Sequence, residues 1–295
     1  MAEQASQHDS RVAVIADTTA GIPDDLVQKL GIHLVPYYVN IGKQTLRDVL
    51  DIERSQFYRW LPTAIKLPTT SNPGPGDYLA AFRKLYERTK EIVTITMTSI
   101  GSGAYQAATV ATEMARREMP DAEIVVVDSR QAAMAFGWSV IEAAREALAG
   151  ASLARVGDVA RQIAREAMMI QTADTLKYLY MGGRIGRAVH LVGTLLNIKP
   201  LIGMEDGEVV ALGQARSRKG AYDKMVELMA KKVGLGARIK VAYMHAAAPQ
   251  EVEEIRERVE RAFECVETII TELSPALGVH SGPGTAGLAF IPVLR

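Results

Sequence analysis

The chain has 295 residues, enough for one large or two medium-sized domains. Its 34 acidic and 34 basic side chains cancel to a net charge of zero, so no global field draws it to nucleic acid or to an anionic membrane. A single cysteine, Cys265, excludes an intrachain disulfide framework, and no apolar run reaches the ~18 residues of a membrane span.

The first eleven residues, MAEQASQHDSR, are polar and hold no apolar signal region, so the expectation is a cytoplasmic protein. VAVIA (12–16) reads as a buried strand, and PDDLVQKL (23–30) as a helix with proline in its first turn. HLVPYYVN (33–40) is strand-like, with Pro36 placing it at an edge. Helices are expected over 53–61 and 77–90, a strand over 91–97 (EIVTITM), a helix over 103–118, and a strand over 123–128 (EIVVVD). A long helix to about residue 149 follows, then another to about 171. Residues 198–217 read as a hairpin about the Asp206-Gly207 turn. The tail alternates helix, strand (240–244), helix (249–263) and strand (266–271). Strands apolar on both faces, alternating with helices, argue for a helix-covered parallel sheet, with a more mixed second unit beginning between 165 and 175. Cys265 is expected to be a buried, small apolar residue.

In open α/β sheets, ligands bind beyond the carboxyl ends of strands. Polar clusters follow three such ends: Asp17, Thr18 and Thr19; TSIGSG at 98–103; and Asp128 with Ser129. A fourth, PTTSNPG at 68–74, precedes the helix from Asp77. TSIGSG is the best physical site. Gly101 and Gly103 permit close backbone approach, Ser102 offers a hydroxyl, and the following helix start offers N–H groups to an anion. Thr70 and Ser71 add hydroxyls, so the set holds an anion without a basic residue. A serine at a helix start also serves as a plain N-cap. Asp17 and Asp128 would meet across neighbouring strand ends, yet such aspartates also cap turns.

Catalytic patterns are poor. There is no G-x-S-x-G elbow and no Walker loop, and histidines 8, 33, 190, 245 and 280 show no metal-pair spacing. HSGPGTAG (280–287) fits G-x-G-x-x-G, but only LAFIPVLR follows it, and a dinucleotide fingerprint needs a helix and a further strand. It reads as a glycine-rich turn between two terminal strands, or as a polar lid over a ligand held elsewhere. Twelve methionines against five phenylalanines suit an adaptable interior for a flexible apolar ligand, and equally suit ordinary core filling.

Seven segments, in order, carry a likeness to a known family: DTTAGIP (17–23), PTTSNPGPG (68–76), TSIGSGAYQAA (98–108), VVDS (126–129), DTLKYLYMGGRIG (174–186), LLNIKPLI (195–202) and HSGPGTAG. Through them the chain resembles the DegV family of bacterial fatty-acid-binding proteins. The resemblance implies a two-domain α/β DegV-like fold, with a parallel-sheet domain over 1–170 and a mixed-sheet domain over 171–295. It implies a long-chain fatty acid buried between the domains, with its carboxylate held by Thr70 and Ser102. Ser71 and Gly103 adjoin those two, and the 280–287 loop brings His280 over the head group, where the imidazole donates to the carboxylate directly or through water. A separate fatty acid kinase then phosphorylates the bound carboxylate, so the chain itself is a carrier and not an enzyme, with neither metal nor cofactor. Arg184 in MGGRIG and Arg216 in RSRK (216–219) are expected to contact the kinase, or a membrane transiently during loading, unless both are simply solvated.

The chain departs from the family pattern in two places. T-S-Q-P-S is Thr70-Ser71-Asn72-Pro73-Gly74 here, and L-S-G-T-Y is Gly101-Ser102-Gly103-Ala104-Tyr105. Two other expectations compete with the carrier. One is a phosphotransferase or hydrolase using Ser102 or Asp17 in the interdomain cleft, and the other is a regulatory module that binds lipid only to sense it.

Overall fold

The computed structural model describes residues 10–191 and 198–293. β1 (Val12–Asp17) is buried at every position and leads through α1 (Asp24–Lys29) to β2 (His33–Val35). The chain then leaves that sheet. β3 (Tyr38–Ile41) and β4 (Gln44–Arg47) form a hairpin, α2 (Arg54–Trp60) follows, and β5 (Thr69–Ser71) pairs antiparallel with β3. With α3 (Pro75–Tyr86), β6 (Glu91–Thr96), α4 (Ala104–Glu118) and β7 (Glu123–Asp128), the first half closes as a parallel sheet of order β2-β1-β6-β7.

α5 (Ala133–Leu148) and α6 (Leu153–Glu166) lead into the second sheet. That sheet is built from β8 (Met168–Thr172), β9 (Lys199–Glu205), β10 (Glu208–Ala215), β11 (Arg238–His245), β12 (Glu264–Glu272) and β13 (Ala286–Pro292). Its order is β10-β9-β8-β13-β11-β12, and it is mixed: β11 and β12 run parallel, and the other neighbours run antiparallel. α7 (Lys177–Met181) follows β8, α8 (Arg218–Val233) follows β10, α9 (Pro249–Ala262) joins β11 to β12, and α10 (Pro275–Ser281) precedes β13.

The strands' alternation assigns the layers. Ala13 and Ile15 of β1 face a core shared with α3 and α4, whereas Val12, Val14 and Ala16 face one shared with α5 and α6. α5 packs on β13 as well as β1, and its buried Trp138 donates from Nε1 to Ala289 O at 3.1 Å. α5 and α6 thus form a middle layer serving both sheets, and α8 and α9 cover the outer face of the second.

Three expectations need correction. The strand expected over 33–40 is two strands in different sheets, because Pro36 offers no N–H and the chain turns there. The helix expected to run to 171 stops at Glu166: MMIQT is β8, whose last four residues are buried. For the domain boundary, expected between 165 and 175, we propose Ala167, which keeps β8 whole. The Asp206-Gly207 turn is where the sequence puts it, with both residues at positive φ, as a two-residue hairpin requires. Cys265 is half-buried beside the second core and not enclosed. Leu195 to Asn197 of the LLNIKPLI segment lie outside the described residues.

Candidate functional site

The carboxyl ends of β1 and β6 carry a buried polar lattice. Asp17 accepts from Thr19 N at 3.0 Å, from the Thr19 hydroxyl, and from Met97 N at 3.2 Å. Burial pushes its pKa up to about 6 against the pull of those bonds. Asp48, also fully buried, accepts from Thr18 Oγ1 at 2.7 Å and from Ala276 N at 3.0 Å, and burial again raises its pKa. Tyr37 is tied into the same lattice: its N–H donates to Thr18 Oγ1 at 3.1 Å, and its carbonyl accepts from Asp48 N at 2.7 Å. The Tyr37 phenol shares a hydrogen bond of 2.5 Å with Ser102 Oγ, which also accepts from Ala104 N at 3.1 Å. Burial holds the phenol well above its ordinary pKa, so it stays protonated. Gly103, the N-cap of α4, has no side chain to offer as an acceptor, and a Cβ there would stand 2.9 Å from the Asn72 amide oxygen.

β5 brings the second hydroxyl. Alternation along the strand puts Thr70 and Ser71 on opposite faces. Thr70 Oγ1 lies 2.7 Å from His280 Nε2, whereas Ser71 is exposed and accepts from Asn40 Nδ2 at 2.9 Å. Ser71 is therefore not brought to the site. His280 is not at a strand end or in a glycine loop: it occupies the last turn of α10, with the turn beginning only at Gly282. Its Nδ1 is buried without a hydrogen-bond partner among the described residues. A Cβ at Gly182 would come within 2.3 Å of that nitrogen, so only glycine lets the imidazole lie there. Burial first, and Arg184 second, lower the His280 pKa to about 4.

Thr19, Tyr37, Thr70, Asn72, Ser102 and His280 surround a polar recess of about 70 Å³. It adjoins a cavity of about 320 Å³ through shared walls that include Met97, Gly101, Arg184, Leu277 and His280. That volume lies at the lower end of the range for small-molecule pockets, about 300–1,000 Å³. The larger cavity is walled by Met97, Met169, Met204, Leu179, Val209 and Leu273, contributed by both sheets and by the α7 and α10 segments. Thr98 Oγ1 donates to Gly207 O at 2.8 Å, docking the β9–β10 turn over the end of β6. A small polar recess sharing walls with an apolar cavity suits an amphipathic ligand with a hydrogen-bonding head and a flexible tail.

Other expected residues lie differently. Arg184 is exposed, yet it lines both recess and cavity, with Nη1 donating to Gly182 O at 2.7 Å. A basic residue thus stands beside the hydroxyls of the recess, although the hydroxyl set was expected to hold an anion without needing one. Arg216 is exposed and lines neither. Arg218 in the same basic run is not a free surface charge: it pairs with Asp174 at 2.8 Å and donates to Gly284 O at 2.7 Å. The 282–285 turn therefore rests on Arg218, not on the recess. Asp17 and Asp128 do not meet, because β6 lies between their strands, and Asp128 caps the amides of Ser99 and Arg130. Tyr37, Asn72 and Asp48 were not foreseen. The one signal near Tyr37 is Pro36 directly before it, which has no N–H to give a strand ladder. No group of side chains suited to a metal ion occurs among the described residues.

A family model described as "Uncharacterised protein, DegV family" matches residues 11–293. The chain belongs to the DegV family. A DegV domain-containing protein of Caldanaerobacter subterraneus is 31% identical over 281 residues, covering 95% of this chain and 98% of the relative. A solved structure from Thermus thermophilus, described as fatty acid binding of a DegV family protein, superposes with a TM-score of 0.90 at 29% identity, covering 96% of this chain and 100% of that one. DegV of Bacillus subtilis, described as a fatty acid binding protein, superposes at 0.85 with 26% identity and the same coverage. The α/β architecture, with its parallel sheet, its mixed sheet and the small β4-β3-β5 sheet, is therefore the DegV fold.

Proposed function

We propose that this chain binds a long-chain fatty acid, with the tail in the 320 Å³ cavity and the carboxylate in the adjoining recess against Thr70 and Ser102. In this reading it is a carrier that presents the carboxylate to a fatty acid kinase. The observation that carries the reading is a hydroxyl-lined recess that shares walls with a methionine-rich cavity, in a family whose solved members include fatty acid binders. An unpaired buried carboxylate is costly. Each charge-assisted hydrogen bond from a hydroxyl offsets roughly 1.5–3 kcal/mol of that cost, and each buried CH₂ contributes about 0.8 kcal/mol. Arg184, on the wall shared by recess and cavity, adds a positive charge where the head group meets solvent.

For the phosphotransferase or hydrolase alternative, no base among the described residues is hydrogen-bonded to Ser102 Oγ. The partners of Ser102 Oγ are a phenol and a backbone amide, and His280 Nε2 is engaged by Thr70. In the carrier reading the kinase, or a membrane during loading, meets Arg184 or Arg216. No helix among the described residues is long and apolar enough to cross a membrane.

Native mass spectrometry of protein purified from a bacterial host tests the reading. The expected spectrum shows a fatty acid adduct that Thr70→Ala/Ser102→Ala protein loses. An empty wild-type protein that takes up no added oleic acid overturns it. Incubating the loaded protein with a fatty acid kinase and ATP then tests presentation, with acyl phosphate as the expected product.

A further inference from the structure

The Ser102 hydroxyl has one hydrogen to donate and two lone pairs to accept with. Ala104 N–H takes one lone pair at 3.1 Å, and the Tyr37 phenol lies 2.5 Å from the same oxygen. A phenol is a stronger acid than an aliphatic alcohol, so it is the better donor of the two. With Tyr37 donating, Ser102 is saturated as an acceptor, and its only remaining capacity is its own hydrogen. Both side chains line the recess, so that hydrogen has the bound head group as its acceptor. The reverse arrangement would use the seryl hydrogen on the phenol and leave the phenolic hydrogen for the head group, which would put the weaker donor of the two in the shared bond.

Tyr37 is held where this requires it. Its side chain is buried, and its backbone is fixed on both sides by Thr18 and Asp48, which are themselves hydrogen-bonded to each other. Asp48 also accepts from Ala276 N of α10, the helix that carries His280. Tyr37, Ser102 and the Thr70–His280 pair therefore share one rigid frame.

We propose that Tyr37 is a positioning residue of the head-group site, fixing the Ser102 hydroxyl as a donor toward the acyl carboxylate. The proposal rests on the fatty acid reading above.

The test compares delipidated wild-type, Tyr37→Phe, Ser102→Ala and doubly substituted proteins for affinity toward oleic acid and toward oleyl alcohol. Phenylalanine keeps the ring and removes only the hydroxyl. Tyr37→Phe is expected to weaken oleic acid binding about three- to tenfold, the size of one hydrogen bond. The double variant should bind oleic acid no more weakly than Ser102→Ala alone. Oleyl alcohol affinity should change much less, since a neutral hydroxyl can accept or donate. Wild-type affinity in Tyr37→Phe while Ser102→Ala is weakened overturns the proposal and leaves the fatty acid reading standing. Additive losses, or equal losses for acid and alcohol, assign Tyr37 a merely structural role and overturn it as well. Wild-type protein that binds neither ligand removes the fatty acid reading, and the proposal with it.

Discussion

His280 shows how one tautomer decides what a neighbouring hydroxyl can do. Its Nε2 meets Thr70 Oγ1 at 2.7 Å, and its Nδ1 is buried without a partner among the described residues. A buried N–H without an acceptor is rarer than an acceptor without a donor, so the hydrogen belongs on Nε2. The imidazole then donates to Thr70 and leaves the threonine hydrogen for the ligand. His280→Ala is therefore expected to cut kinase turnover of saturating loaded carrier more than it cuts oleic acid affinity, because a head group loses orientation before it loses residence. Equal turnover with the wild type would remove this role. The same ring has a pH consequence. Burial lowers the pKa of both His280 and His33 to about 4 in the folded chain, against about 6.5 when unfolded. The fold thus favours the neutral imidazoles. Their stabilisation is complete above pH 6.5 and is lost as pH falls through about 4. Asp17, raised to about 6, works in the opposite direction, since its protonation on folding favours the fold as pH falls below 6. Urea unfolding between pH 7 and 4 should accordingly show a shallower acid loss for His280→Ala than for wild type. Asp17→Asn, which removes the opposing contribution, should show a steeper one.

Among the elements, α10 is the one on which the site depends and the one least evident from sequence. Seven residues make about two turns, too short to persist without outside contacts. Those contacts are specific. Ser274 Oγ accepts from Leu277 N at 3.4 Å, Asp48 takes Ala276 N, and the buried Tyr58 hydroxyl donates to Leu273 O at 2.9 Å. Gly278 lies beneath that tyrosine, and a Cβ there would come within 2.6 Å of its oxygen. Gly278→Ala is expected to destabilise the protein by roughly 1–3 kcal/mol through overpacking, and to weaken oleic acid binding by drawing His280 away from Thr70. Chemical denaturation and a binding isotherm on the same sample check both, and unchanged values in both would sink this account of the helix. Ser274 followed by Pro275 was a legible start signal, but PALGVHS is too short to display a helical period. β4 and β5 were hidden for a related reason: three or four partly exposed residues carry no clear alternation. The long buried strands and the Asp206-Gly207 turn were readable because their signals are local.

At the scale of the molecule, the site is assembled from residues that sequence distance keeps apart. Thr70 and His280 are separated by 210 positions, and Tyr37 and Ser102 by 65. The hydroxyl clusters at strand ends could be read one by one. Which of them face each other could not, since it depends on the middle layer of α5 and α6 holding the two sheets together. Arg184 illustrates the difference. In sequence it resembles Arg216, a basic residue in an exposed turn, but the fold places Arg184 on the wall of the recess and leaves Arg216 away from it. Charge reversal should therefore separate them. Arg184→Glu sets a carboxylate beside the fatty acid head group, and oleic acid affinity should fall by about tenfold or more, along with acyl phosphate formation. Arg216→Glu should leave affinity unchanged. If this face meets the kinase, it should slow acyl phosphate formation alone. That slowing should fade as added salt brings the Debye length below about 10 Å, because contacts between exposed charges are screened. Affinity and kinase rate, measured for both variants at low and high ionic strength, decide the matter. An Arg184→Glu protein with wild-type oleic acid affinity would place the head group away from Arg184. An Arg216→Glu protein with wild-type transfer rates at both salt concentrations would remove that residue from the partner surface.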